Sequence, residues 1–238
     1  MIPRGSRFRR GVARRTRAAR SKGGEVAAGR FFVLEGLDGA GTTTQAQRLA
    51  AWMRERGRQV HVTAEPSAGP VGALIRQILT RRVAGPPGPR GEAQGFDPSA
   101  LALLFAADRL DHVSAEIGPR LAEGWDVISD RFTLSSLAYQ ALTCDDASWV
   151  ETINRRALAP DATLFLEVSP ATAVRRRFAA SGQREIFEVP AFQRKVARAY
   201  RSAIARLREV GQRVEIVDGN GPVEEVTAAL AEKVAVLL

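Results

Sequence analysis

From Gly36 to Thr43 the chain reads Gly-Leu-Asp-Gly-Ala-Gly-Thr-Thr, directly after an apolar run and directly before a helical pattern. A glycine-rich turn in that setting aims successive backbone N–H groups inward and adds the positive end of the following helix, so it holds phosphate without using side chains. The familiar spelling of such a loop continues, after its second glycine, with Lys and then Ser or Thr. Here Gly36 and Gly41 are the spaced glycines, Thr42 occupies the lysine position, and Thr43 supplies the hydroxyl that would coordinate the magnesium of a bound nucleotide. Gly36, Leu37, Asp38, Gly39, Ala40, Gly41, Thr42 and Thr43 thus form a candidate phosphate cradle that lacks one positive charge. Asp38 is an odd residue for a loop that only binds phosphate, so it must serve another partner. The chemistry indicated is phosphoryl transfer.

Other residues could share that work. Phe105 and Arg109 are four apart in a helical pattern, on one face, and can close over a single object. Asp130-Arg131 ends a short apolar run, and ligands of open α/β sheets bind at the carboxyl ends of strands. Arg175, Arg176, Arg177 and Arg184 crowd one polar segment. His61 and His112 are far apart in sequence and read as packing or surface residues. Cys144 is the only cysteine, which excludes an intrachain disulfide and a cysteine-cluster metal site and leaves a small buried or half-buried residue.

The elements that must position these residues alternate between strand-like and helix-like, the signature of a parallel sheet with helical crossovers. Strands are expected at 31–35, 59–63, 125–129, 162–168 and 213–217. Helices are expected at 42–56, 71–82, from Asp97 through Arg109 towards Leu121, from about Leu134, and at 149–157, 170–178, 189–208 and 222–236. Asp97 reads as a helix cap with Pro98 at the first helical position. Residues 83–95, with three prolines and four glycines, read as a surface connection.

A chain of 238 residues with 45% hydrophobic content fits one α/β domain. No run of 18 or more apolar residues and no signal-peptide core is present, so the expectation is an intracellular, cytoplasmic protein without a membrane partner. The net charge of +9 sits entirely in residues 1–30, which hold nine arginines and Lys22 against Glu25, while the remainder carries 25 charges of each sign. Residues 1–29 read as a basic, disordered extension, and any nucleic-acid contact is expected only through them.

From Arg30 onward the chain resembles the thymidylate kinases, a family of P-loop nucleoside monophosphate kinases. The resemblance rests on several blocks in the family's order: EGLDGAG followed by threonines, Glu65-Pro66, LLFAADR at 103–109, the strand ending in Asp130-Arg131, SSLAYQ at 135–140 and PDATLFLEV at 160–168. It implies a parallel sheet of about five strands with helices on both faces, a lid at about 175–188, and a homodimer. It also implies transfer of a phosphoryl group from ATP to thymidine monophosphate with Mg²⁺. By the same resemblance Phe105 stacks on thymine and Arg109 bonds its exocyclic oxygen. Ser136 touches the base edge, Tyr139 packs under the sugar, and Glu65 lies near the acceptor. Asp38 and Arg131 orient the acceptor phosphate, Asp130 joins Thr43 at the metal, and Arg177 or Arg184 takes over part of the missing lysine's role. The chain departs from the family at Thr42, at Ala64, where an arginine is usual, and at Ser67-Ala68-Gly69. Two other readings stay open: a nucleotide-binding homologue with little turnover, and a nucleic-acid-associated protein acting through its basic tail.

Overall fold

The computed structural model describes residues 28–85, 95–181 and 190–238. Within these, five strands form one all-parallel sheet: β1 (Phe31–Gly36), β2 (Val60–Ala64), β3 (Asp126–Asp130), β4 (Ala162–Glu167) and β5 (Val214–Asp218), in the spatial order β2-β3-β1-β4-β5. Parallel neighbours need long crossovers, and helices supply them. They are α1 (Thr42–Arg54), α2 (Pro70–Leu79), α3 (Pro98–His112), α4 (Gly118–Ala122), α5 (Thr133–Thr143), α6 (Ala147–Asn154), α7 (Pro170–Ser181), α8 (Pro190–Glu209) and α9 (Val223–Ala235).

β1 is buried along its whole length because it has strand neighbours on both edges and helices on both faces, which is why it reads as a continuous apolar run. Its alternate side chains serve two cores. Phe32 and Leu34 join the larger one with Leu49 and Met53 of α1, Leu164 of β4 and Leu230 of α9. Phe31 and Val33 join a smaller one with Val127, Ile117, Leu121 and Phe132. Phe31 and Phe132 meet edge to face, their centroids 5.1 Å apart.

The expected elements are all present, with ends shifted by a few residues. Asp97 caps α3, its carboxylate accepting the Ala100 N–H at 2.7 Å, with Pro98 following. The expected single helix from Asp97 towards Leu121 is instead three pieces: a π-helical turn at Val113–Ile117 separates α3 from α4. Pro119 explains the interruption, since it has no N–H to donate and its ring crowds the preceding turn. Gly118 bonds back to the Val113 carbonyl, which closes the wide turn. Among the described residues, Gly29, one residue before the expected domain start, is fixed in the fold. Its N–H donates to Leu121 O at 3.0 Å, and it is packed so closely on Trp125 that no side chain fits. The basic stretch up to residue 27, most of the connection at 83–95 and part of the expected lid, Arg184 included, lie outside the described residues.

Candidate active site

The glycine-rich loop joins the carboxyl end of β1 to the first turn of α1. Gly39 and Gly41 have φ of 88° and 95°, so the loop uses the left-handed backbone that glycine adopts without strain. Gly39 has a second constraint: a Cβ there would lie 2.2 Å from the carbonyl oxygen of Ala173, so α7 rests directly on the loop. α7 also anchors itself through Arg176, which donates to Gly219 O at 2.7 Å and Asn220 O at 3.2 Å in the turn before α9.

Asp38 has the partners that its place in the loop demanded. Arg131 Nη2 donates to Asp38 Oδ1 at 2.6 Å, and Arg177 Nη1 of α7 lies 3.7 Å from Asp38 Oδ2. Arg131 reaches back over the end of β1 because it leaves β3 in a left-handed conformation, φ 72°. For a side chain of this size that costs about 1–3 kcal/mol, and surrounding bonds hold it. Its Nη1 donates to Gly36 O at 3.0 Å, Ser135 Oγ at 3.2 Å and Tyr200 OH at 3.3 Å. Burial alone would lower the Arg131 pKa, but the charges of Asp38 and its other neighbours raise it well above the ordinary value, so the guanidinium stays charged. Tyr139 lies beside the same pair, with Arg131 Cζ 5.8 Å from its ring centroid. Burial first, and then the negative charge of Asp38, raises its phenol pKa, so it remains protonated.

Beneath this cluster is Glu35, the last side chain of β1 and fully buried. It accepts from Phe132 N at 2.9 Å, Ser135 N at 3.0 Å, Ser135 Oγ at 2.6 Å and Tyr200 OH at 3.2 Å. Burial pushes its carboxyl up to about 7, against the opposing pull of the Arg131 charge and the hydrogen bonds from Ser135 and Phe132. Neither Glu35 nor Tyr200 was marked as functional in the sequence. A glutamate that ends an otherwise apolar buried strand, one residue before the loop, was the available signal.

Thr43 Oγ1 donates to Asp130 Oδ2, and the other oxygen of that carboxylate is buried with no hydrogen-bond partner among the described residues. A lone carboxylate oxygen beside a hydroxyl suits a hydrated divalent cation, so Thr43 and Asp130 fit Mg²⁺. Among the described residues no cluster of three His, Cys, Asp or Glu forms an all-protein metal site. Both Thr43 and Asp130 line a cleft of about 410 Å³, with Thr63, Ala64, Arg76 and Glu116 on its other walls.

The remaining predicted residues gather around α3 and α5. Phe105 is half-buried and belongs to neither apolar core. Arg109 is 1% exposed. Its Nε and Nη2 donate to Glu65 Oε2 at 2.9 and 2.7 Å, its Nη2 also to Phe132 O and Ser136 Oγ at 3.1 Å each, and its Nη1 to Asn154 Oδ1. These bonds occupy four of the five guanidinium hydrogens and leave one on Nη1. Ser136 is buried against Arg109, and the side chain of Glu65 is only 2% exposed, facing Arg109 rather than an open site. Asn154 was missed because it joins the set from α6, remote in sequence. His61 and His112 are not isolated: both pair with Glu116, His112 as its neighbour one turn back on the same helical run and His61 from β2 across the fold. Cys144 is half-buried.

The loop, the Asp38–Arg131–Arg177 cluster and the Thr43–Asp130 pair lie on elements that end or begin at the carboxyl edge of one parallel sheet, and Arg109 of α3 is tied to that edge through Glu65 after β2 and Phe132 after β3. Sequence comparison points the same way. Residues 34–230 match the family model described as thymidylate kinase. A probable thymidylate kinase of Thermococcus kodakarensis is 38% identical over 210 residues, covering 87% of this chain and 98% of the relative. The thymidylate kinases of Nitrosospira multiformis and Bifidobacterium longum subsp. infantis are 35% and 36% identical, each over 88% of this chain and over 98% and 88% of their own lengths. Loop, sheet order and sequence agree that this chain belongs to the thymidylate kinase family.

Proposed function

We propose that the protein transfers the γ-phosphoryl group of ATP to thymidine monophosphate, giving ADP and thymidine diphosphate. The observation that carries this reading is the cluster at the end of β1, where a phosphate loop, a loop carboxylate and two arginines from different elements converge. Phosphoryl transfer proceeds through a loose transition state, and positioning plus fixed positive charge supply most of its stabilisation.

In this reading the backbone of Gly36 to Thr43 holds the donor phosphates. Thr43 and Asp130 would hold Mg²⁺, which would supply positive charge against the phosphates. Asp38 aligns Arg131, and Arg131 meets the acceptor phosphate. Tyr139 lines the sugar, Phe105 stacks on the pyrimidine, and the uncommitted Nη1 hydrogen of Arg109 is the donor left for the base's exocyclic oxygen. Arg177 supplies the charge that Thr42 cannot, from a helix already seated on the loop. Arg184 is a second candidate, lying outside the described residues. Glu65 is a support for Arg109 and does not itself meet the nucleotide.

A homodimer accompanies this reading. Leu103, Ala107 and Leu110 form an exposed stripe on α3, with Leu103 50% and Leu110 41% exposed in the single chain.

The test is a steady-state assay with ATP, Mg²⁺ and thymidine monophosphate. Diphosphate formation well above a Thr43→Ala control is expected; product equal to the control would overturn the kinase reading.

A further inference from the structure

A continuous chain of charged and polar groups runs from the protein surface to Arg109, and the phosphate chemistry uses none of it. It starts at His61 on β2, whose Nε2 lies 2.7 Å from Glu116 Oε1. Glu116, on the π turn, places its other oxygen 3.6 Å from Nε2 of the fully buried His112. Thr63 Oγ1 meets the same ring nitrogen at 2.8 Å. The opposite ring nitrogen, Nδ1, is 3.5 Å from Glu65 Oε1, and Glu65 Oε2 accepts twice from Arg109. The charged groups facing His112 are therefore Glu65 from the β2–α2 loop and Glu116 from the π turn, with Thr63 of β2 as the neutral partner.

We infer that His112 and Glu116 are positioning residues for recognition of the pyrimidine base: through Glu65 they fix the guanidinium of Arg109, and so set discrimination at the base's exocyclic group. The inference rests on the functional reading above. The geometry supports a strut in place of ordinary core packing for two reasons. First, an imidazole enclosed between two carboxylates keeps both of its nitrogens committed, and a buried polar chain of this kind holds one arrangement only while every member is paired. Second, Glu65 Oε1 has no other described partner, so losing the imidazole leaves that carboxylate fixed on one oxygen only, and the Glu65 bonds to Arg109 Nε and Nη2 lose the contact that sets their direction. Glu116 is suited to its end of the strut. Burial raises its carboxyl pKa, but hydrogen bonds from His61 and Thr63 and the charges of His112 and His61 bring it below the ordinary glutamate range, so it is a carboxylate throughout the working pH range.

The test uses the full chain and two acceptors that share the 5-methyl group and differ in the exocyclic group at C4, thymidine monophosphate with a carbonyl and 5-methyldeoxycytidine monophosphate with an amino group. Wild type, His112→Phe, His112→Gln and Glu116→Gln are assayed with both, alongside melting temperatures. For His112→Phe we expect the thymidine monophosphate KM to rise about tenfold or more, with kcat and the ATP KM little changed, since misplacing a contact is enough for a loss of this size. The ratio of the two kcat/KM values should fall by a similar factor, His112→Gln should recover part of it, and Glu116→Gln should shift it in the same direction. An unchanged ratio, or an equal loss for both acceptors that tracks a lower melting temperature, overturns the inference. If His112→Phe does not fold, Glu116→Gln decides, because the Glu116 side chain is 32% exposed and its amide keeps the shape. A wild type that phosphorylates neither nucleotide overturns the functional reading as well; a wild type that discriminates as well as its variants do overturns this inference alone.

Discussion

At the scale of single residues the open question is charge. Thr42 is nearly buried and can donate one hydrogen bond but no charge, while Arg177 and Arg131 bring two guanidinium groups to Asp38. Arg177→Ala should therefore lower kcat by about 10²-fold or more, as expected when a preorganised donor is removed from developing negative charge. Thr42→Lys in that background should recover part of the loss. A steady-state assay of wild type, both single variants and the double variant measures this, and an Arg177→Ala enzyme with wild-type kcat would assign the charge elsewhere. Glu35 carries a second residue-scale prediction. Its carboxyl pKa is raised from 4.5 to about 7 in the folded protein, so between these values the unfolded chain gives up its proton before the folded chain does. Stability then falls as pH rises through that window, by up to about 3 kcal/mol, and is unaffected by this group below it. Glu35→Gln keeps the shape and cannot ionise, so urea midpoints measured between pH 5 and 8 should lose most of that slope.

At the scale of elements, α7 and the phosphate loop act as one unit through Gly39. Gly39→Ala faces both a left-handed φ and the Ala173 carbonyl, so α7 must lift or the loop must distort. The expected result is a melting temperature several degrees lower and, in the proposed function, an ATP KM raised by about tenfold, because backbone strain of about 1–3 kcal/mol falls on the glycine-rich loop. α3 gives a contrasting case: Asp97→Ala removes only a cap and should cost about 1 kcal/mol in chemical denaturation without altering the KM of either substrate. The π turn beyond α3 is the element that sequence periodicity does not show. Its wide turn accompanies Pro119 and carries Glu116, which meets His112 one turn back and His61 of β2.

At the scale of the whole molecule, the charge distribution separates the basic N-terminal stretch from a body of nearly balanced charge. Deleting residues 1–27 should leave kcat/KM for both nucleotides unchanged while abolishing any salt-dependent binding to DNA. The stripe on α3 makes the opposite kind of prediction. Leu103→Glu should shift the molar mass in size-exclusion chromatography with light scattering towards a single chain, and should do so without unfolding, because Leu103 is half exposed already. Among the described residues no helix is long and apolar enough to cross a membrane.

The sequence by itself determined what is local. The order of strands and helices, the glycine-rich loop with its Thr42 substitution and the Asp97 cap were all legible, because glycine placement, apolar period and cap chemistry act within a few residues of where they are read. Tertiary structure decided which distant groups meet. Arg131 serves Asp38 only because β3 pairs beside β1 and leaves it with a left-handed turn. Arg109 is buried only because Glu65, Asn154 and Phe132 arrive from three other segments with the acceptors its guanidinium requires. Two histidines that read as isolated become one network because His61 of β2 reaches Glu116, which already neighbours His112 on its own helical run. Long-range pairing of charges depends on strand order and helix register, which no single stretch of sequence encodes, and in this protein the surroundings of Arg109 and Arg131 are assembled almost entirely from such pairings.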